Sequence, residues 1–267
     1  VKKRLLDVIF ASDKRKNVLL LLQNGPQEMD ALLKSLETTR QASLPQMKIL
    51  EEHYLVFHYN DIYELTTIGK LIVDWMKPLL STINVFDSDV QYWRTHDFSF
   101  MPTDLFKRIN ELESCTIKSP STEMMYDAHA DFNQMTKAHE FQFSITSFFY
   151  PHFTDIFMEL LSNDVDMHVI ISQNLFDKLK AENYQDIERL VNNKSVHLYV
   201  YQKKMQFLAF VFNETSVMMS PLKISGEFDN KHIVCKGPDA VRWAQDFAEY
   251  YLKDSIPLTK SMLADES

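Results

Sequence analysis

Three short clusters near the start of the chain have the side chains needed to hold and read nucleic acid. Lys2-Lys3-Arg4 and Lys14-Arg15-Lys16 place cations close to expected helix starts, where basic groups and backbone N–H groups meet phosphate oxygens. The third cluster is Thr39-Arg40-Gln41 with Ser43, Gln46 and Lys48. Arg pairs with guanine and Gln with adenine in the major groove, and each good bidentate contact discriminates by about 1–3 kcal/mol. No comparable chemistry is offered elsewhere: the sequence has no Ser-His-Asp motif, Gly-rich phosphate loop or paired-carboxylate motif. Four glycines in 267 residues also argue against a phosphate cradle. Cys115 and Cys235 lack a CxxC partner and are expected as isolated buried thiols, with a redox switch or an intersubunit disulfide as the alternative. The nine histidines show no metal spacing; His129 and His139, ten apart, do not meet on a helix surface. The expectation is no catalytic residue, no metal and no cofactor, hence not an enzyme.

The elements that must position these groups are legible from start and stop signals. Ser12-Asp13 caps a helix whose apolar run Val18 to Leu22 is closed by Asn24-Gly25-Pro26. A second helix is expected over Gln27 to Leu36, with Met29, Leu32, Leu33 and Leu36 on one face. After the turn Glu37-Thr38-Thr39, a third should run from Arg40 to His53 and pack through Leu44, Met47 and Leu50. That phase turns Thr39, Arg40, Gln41, Ala42, Pro45, Gln46 and Ile49 outward, with Ser43 and Lys48 on the flanks. Pro45 removes a backbone hydrogen bond inside this helix. Leu55 to Tyr59 and Ile62 to Thr66 read as strands joined at Asn60-Asp61. The order is that of a winged helix-turn-helix, with His58-Tyr59-Asn60 in the wing. This wing has no Arg or Lys, so affinity is expected to depend on a dimer.

Charge divides the chain. Residues 1–80 hold 11 Lys+Arg and 10 Asp+Glu, a balance of +1, whereas residues 81–267 hold 17 and 27, a balance of −10. The acid sits in the second part, which is suited to a neutral or cationic effector or to staying off DNA. The length predicts two domains. No apolar stretch approaches the roughly 18 residues of a membrane span, and the N-terminus does not read as a signal peptide. A cytoplasmic protein that does not engage the membrane is expected.

A connector, 81–118, is expected to be helical. Leu71, Ile72, Val73, Trp75, Met76, Leu79, Leu80 and Ile83 recur three and four apart after the wing, which suits a dimerisation helix or one packed on its own domain. From Glu140 the period changes. Strands are expected near Phe141–Ile145, Met167–Ile171, Val196–Tyr201, Gln206–Phe212, Ser216–Met219 and Lys231–Cys235, with helices between the early ones and a last helix after Gly237-Pro238. This is an α/β domain over 119–258 whose mostly parallel sheet ends in a meander, followed by a tail at 259–267. Ligands in such sheets bind beyond the carboxyl ends of parallel strands, which points to Ser147, Tyr150, Ser172 and Gln173. The ordinary alternative is that the Ser residues cap helices and the aromatics pack in the core.

Two resemblances sharpen the reading. Arg4-Leu5-Leu6-Asp7-Val8-Ile9-Phe10 with Ser12-Asp13-Lys14-Arg15-Lys16, then Leu44 to Glu52 and Tyr63 to Lys70, resemble winged-helix transcriptional regulators of methanogenic archaea. They are most similar to the methanogenesis regulatory protein type, with an ArsR-like reader and a family-specific C-terminal domain. The resemblance implies a homodimeric transcription factor on double-stranded DNA. The later strand order resembles half of a phospholipase D-like fold, an architecture also found in sugar-sensing archaeal regulators. That enzyme's HxKxxxxD frame would fall on Gln206, Leu208 and Asn213, so nucleophile, cation and acid are all absent. The expected whole is an α+β protein: a winged helix over 1–80, a helical connector, and a mixed α/β domain without catalysis that serves sensing of a small-molecule effector, dimerisation or both. The contrasting reading is a winged helix that docks a protein instead of DNA.

Overall fold

The computed structural model describes residues 4–120, 136, 140–149 and 153–264. Tyr150, Lys2, Lys3, His129 and His139 lie outside them. The chain divides into two units, Val1–Ser81 and Thr82–Ser267.

The first unit contains α1 (Leu5–Phe10), α2 (Asp13–Leu22), β1 (Gln27–Glu28), α3 (Met29–Ser35), α4 (Arg40–Glu52), β2 (Val56–Tyr59) and β3 (Ile62–Leu65), and continues into α5 (Thr67–Asp87). Ser12 Oγ caps α2 by accepting from Arg15 N, and Thr39 Oγ1 caps α4 by accepting from Ala42 N, as polar residues do at helix starts. The second expected helix begins two residues late because Gln27 and Glu28 pair with Tyr63 and Ile62. β3 is thus the middle strand of a three-stranded sheet. Asn60 and Asp61 both take positive φ, 47° and 63°, which is the geometry of a two-residue hairpin turn matched to strand twist. Leu19, Leu22, Met29, Leu32, Met47, Leu50, Leu55 and Val73 fill one core. Gly69 lets α5 lie on it, since a Cβ there would sit 2.1 Å from the Leu55 carbonyl oxygen.

The second unit is built on an eight-stranded sheet. Its strands are β4 (Thr116–Lys118), β5 (Phe141–Thr146), β6 (Asp166–Ser172), β7 (Val196–Tyr201), β8 (Phe207–Phe212), β9 (Ser216–Pro221), β10 (His232–Lys236) and β11 (Ser255–Pro257), in the order β11-β7-β6-β5-β8-β9-β10-β4. Only β5–β6–β7 are parallel. The other pairings are antiparallel, so the sheet is mixed. Helices α8 (Phe153–Ser162), α9 (Gln173–Glu182) and α10 (Tyr184–Val191) cover one face of the parallel strands through Phe157, Leu160, Leu175, Leu179, Ile187 and Leu190. On the opposite face α11 (Pro238–Leu252) packs Trp243, Phe247 and Tyr251 against Phe143, Phe210 and Ile233. A short helix α12 (Lys260–Leu263) follows β11. None of the described helices is long and apolar enough to cross a membrane.

Residues of the expected connector belong to this second core. Helices α6 (Val90–Thr95) and α7 (Thr103–Phe106) contribute Tyr92 and Leu105 to the cluster around Trp243. Trp243 Nε1 donates to Leu105 O at 3.0 Å, and Tyr251 OH donates to Phe100 O at 3.0 Å. The cysteines, expected as isolated thiols, form a Cys115–Cys235 disulfide. Its cause is register: Thr116 opposes Val234 in the β4–β10 ladder, so the next pair is Cys115 against Cys235, with Cα atoms 4.0 Å apart. A 120-residue separation and a three-residue edge strand gave no local signal of this.

Alkylation of the unfolded, unreduced protein is expected to find no free thiol. Reduction, or the double change Cys115→Ser/Cys235→Ser, should lower unfolding free energy by about 2–4 kcal/mol, as for a bridge closing a long loop. The denaturant midpoint of the second unit reads this out. Gly69→Ala should destabilise the first unit by about 1–3 kcal/mol through overpacking against the Leu55 backbone, measured in the same unfolding experiment.

Candidate nucleic-acid interface

α4 is the helix that a winged fold presents to a groove, and its phase decides which side chains are available. Ser43, Met47 and Leu50 are buried, so the inward stripe runs through Ser43 while Leu44 is 45% exposed. Ser43, an expected base-reading residue, therefore faces the core, and Ile49 packs partly against it. Gln46 is turned sideways: its Oε1 accepts from Arg15 Nη1 at 2.6 Å and from Ser12 Oγ at 3.5 Å. Arg15, expected on phosphate, is 7% exposed. Its Nε donates to the Val8 carbonyl, so the guanidinium joins α1, α2 and α4 in place of contacting DNA.

The outward face of α4 comprises Gln41, Ala42, Leu44, Pro45 and Lys48. Gln41 and Lys48 have no side-chain partner among the described residues, which leaves an amide and an ammonium for base edges or phosphates. Arg40 is exposed but engaged. It pairs with Asp61 in the wing turn and, at 3.6 Å, with Asp30; the hydrogen bond to Asp61 raises its pKa above the ordinary guanidinium value. Of the flanking cations, Lys14 donates to Thr38 Oγ1 at 3.1 Å and Lys16 pairs with Asp13 at 2.7 Å. Both contacts lie at the surface, where exposed ion pairs contribute little. In the wing, His58 meets Glu51 and stacks on Tyr63. Tyr59 is 73% exposed and Asn60 forms the turn.

The expected effector residues do not gather. Ser147 Oγ donates to Phe207 O at 2.8 Å, Ser172 Oγ caps α9 by accepting from Leu175 N, and Gln173 donates to Asp177. These are the helix-cap and loop roles open to such residues. A cavity of about 50 Å³ that none of them lines has Gln142, Ser144 and Thr146 from alternate positions of β5 on one wall and Phe148, Phe149 and Phe157 on another. Gln142 is 3% exposed and its Oε1 has no hydrogen-bond partner. Sequence reasoning missed this site because its polar residues sit on a strand and not after one. The frame Gln206, Leu208, Asn213 is also structural. Asn213 is fully buried, its Oδ1 accepting from the N–H groups of Thr215 and Ser216 in the β8–β9 turn.

A second group escaped sequence reasoning. Asp166 and His168 on β6 and His197 on β7 place ligand atoms within 4.8 Å of one another. Burial, and then the neighbouring His197, hold the His168 imidazole below its ordinary pKa.

Changing Arg15 to Met should leave the Val8 carbonyl without its side-chain donor and Gln46 with only the longer bond from Ser12. The expected cost is about 1–3 kcal/mol of stability, measured by denaturant unfolding. Lys14→Ala, at the surface, should stay within about 0.5 kcal/mol of the parent.

Comparison with known proteins adds the family. The model described as methanogenesis regulatory protein FilR1, N-terminal domain, matches residues 3–84, and that of the FilR1 middle domain matches residues 125–254. No curated protein matches. Among solved structures, TrmBL2, an archaeal chromatin protein described as showing a novel mode of DNA binding, is 13% identical. It covers 95% of this chain and 97% of its own, with a TM-score of 0.43. The phospholipase D family member Nuc from Salmonella typhimurium is 11% identical and covers 55% of this chain and 99% of its own, with a TM-score of 0.40. Both scores are too low to carry over a fold or a function. The two family models span both units, and the chain belongs to the FilR1 family of methanogenesis regulatory proteins.

Proposed function

We propose that the protein works as a homodimer in the cytoplasm, reading duplex DNA with α4 and receiving a small-molecule signal in its second unit. The observation that carries the dimer is a bare apolar stripe on α5. Ile68, Leu71, Trp75 and Leu79 are 53%, 62%, 76% and 53% exposed, while Val73 and Met76 on the other side of the helix are buried in the core. The spacing of three and four keeps the stripe on one face. Monomeric proteins rarely leave such a patch uncovered, and a second copy offers the same stripe in return, as a twofold interface requires. Two recognition helices set about 34 Å apart would then meet successive major grooves.

Readout falls to Gln41 and Lys48, with Lys14 and Lys16 against phosphates. Arg40 joins them when Asp61 lets it go. The wing itself, with Tyr59 exposed and no Arg or Lys from Tyr54 to Tyr63, adds little positive charge, and this supports reliance on two copies. The effector site is the β5 cavity. Its aromatic wall suits an apolar edge and the unsatisfied Gln142 Oε1 calls for a donor, and at about 50 Å³ it takes only a very small ligand or one end of a larger one. Binding there would shift the population of dimer geometries that fit or miss the operator. The exposed wing aromatics are the feature favouring the second reading, a protein-docking winged helix.

Trp75→Asp is expected to halve the mass seen by sedimentation and to weaken specific DNA binding at least about tenfold, the loss expected when two half-sites no longer bind together. A parent that is already monomeric at micromolar concentration contradicts the dimer. Asp61→Asn keeps a residue that tolerates positive φ and removes the charge that holds Arg40 at the wing, leaving Asp30 as its ion-pair partner. DNA affinity should rise roughly 3- to 10-fold, a coupling of about 1 kcal/mol, and a fall in affinity measured by fluorescence anisotropy contradicts the latch.

A further inference from the structure

The parallel ladder between β6 and β7 sets His168 directly opposite His197. Asp166, two residues before His168, projects from the same face of its strand. Its two carboxylate oxygens divide between the imidazoles, Oδ2 at 3.3 Å from His168 Nε2 and Oδ1 at 3.3 Å from His197 Nε2. The rings stack with centroids 4.4 Å apart. His168 is further held by Phe143, stacked at 5.9 Å, and by Phe141 at 5.5 Å. On the reverse face of the same strands Met167, Val169 and Leu198 are sealed in the core, so the backbone beneath the cluster is rigid. Asp166 and His197 keep side-chain exposures of 48% and 43%, which leaves the group open to ions from solvent.

We propose that Asp166, His168 and His197 form a binding site for a divalent first-row transition ion of the zinc, cobalt or nickel kind. Three donors each about 2.0–2.2 Å from one tetrahedral ion lie roughly 3.3–3.5 Å apart, the separation already present between the carboxylate oxygens and each Nε2. Two imidazole nitrogens with one carboxylate suit these ions and not calcium or magnesium, which take oxygen donors. The remaining coordination positions face solvent and take water. Bound metal ties the start of β6 to the start of β7, so it stabilises the second unit by linkage. The site is independent of the recognition helix and of the β5 cavity.

The test uses the full chain after chelator treatment. CoCl2 is titrated while visible absorption is recorded, and ZnCl2 is then added in competition. One Co²⁺ per chain, displaced by Zn²⁺, is expected, together with a rise in the melting temperature. Asp166→Asn and His197→Gln, both at half-exposed positions, should fold as the parent by circular dichroism and bind Co²⁺ at least about thirtyfold more weakly. His168→Phe, which keeps the ring stack, should do the same. His58→Gln in the wing should bind as the parent does. The proposal is overturned if the parent binds no Co²⁺ below about 100 μM, a bound set by the affinity of built sites. It is equally overturned if all three changes leave affinity within threefold of the parent, or if His58→Gln removes the binding.

Discussion

The second helix of a helix-turn-helix is fixed to its domain by one face and presents the other, so the angular phase of α4 sets which side chains it offers outward. The phase is set by Ser43, Met47 and Leu50, which point into the core beneath α2 and α3. With those three inward, a 3.6-residue repeat leaves Gln41, Ala42, Leu44, Pro45 and Lys48 outward. Two arginines reinforce the arrangement in different ways. Arg15, buried, hydrogen-bonds the Val8 carbonyl and Gln46 and so fixes α4 against α1 and α2. Arg40, at the surface, reaches Asp61 and joins the helix to the tip of the wing. The first contact is in the interior, where loss of a partner is costly. The second is exposed and weak, which suits a contact that a phosphate or guanine can replace.

How much of this was legible depended on whether the information was local. The helix cap at Ser12, the Asn60-Asp61 turn and the start of α11 at Gly237-Pro238 follow from chemistry within a few residues and are found, whereas Thr39, expected to face a base, caps α4. The phase of α4 was read about one residue off, because hydrophobicity favours Leu44 inward while the packing takes the smaller Ser43. Gln27 and Glu28 read as helix from composition but are strand because β3 lies beside them. The Cys115–Cys235 bridge and the meeting of His168 with His197 depend on sheet register between distant strands. Spacing along one chain cannot encode either.

The second unit keeps a polar site on its sheet. Its parallel strands are covered by helices on both faces, and the nearest HxKxxxxD frame is occupied by Gln206, Leu208 and Asn213. Asn213 spends its hydrogen bonds on a turn. What the sheet retains is a buried amide at Gln142 above an aromatic wall. The strong negative balance of residues 81–267 also disfavours phosphate contact there. The proposed DNA contact therefore falls to the near-neutral N-terminal unit.

The central claim is that α4 reads bases through its outward side chains. Fluorescence anisotropy of the parent and of Gln41→Ala, on the protein's own upstream DNA and on random duplex across a salt series, tests it most directly. The account predicts binding that weakens with salt, a preference for the upstream duplex in the parent, and loss of that preference in Gln41→Ala with the salt dependence retained. Absence of salt-dependent binding to either duplex, or an unchanged preference in Gln41→Ala, would contradict it.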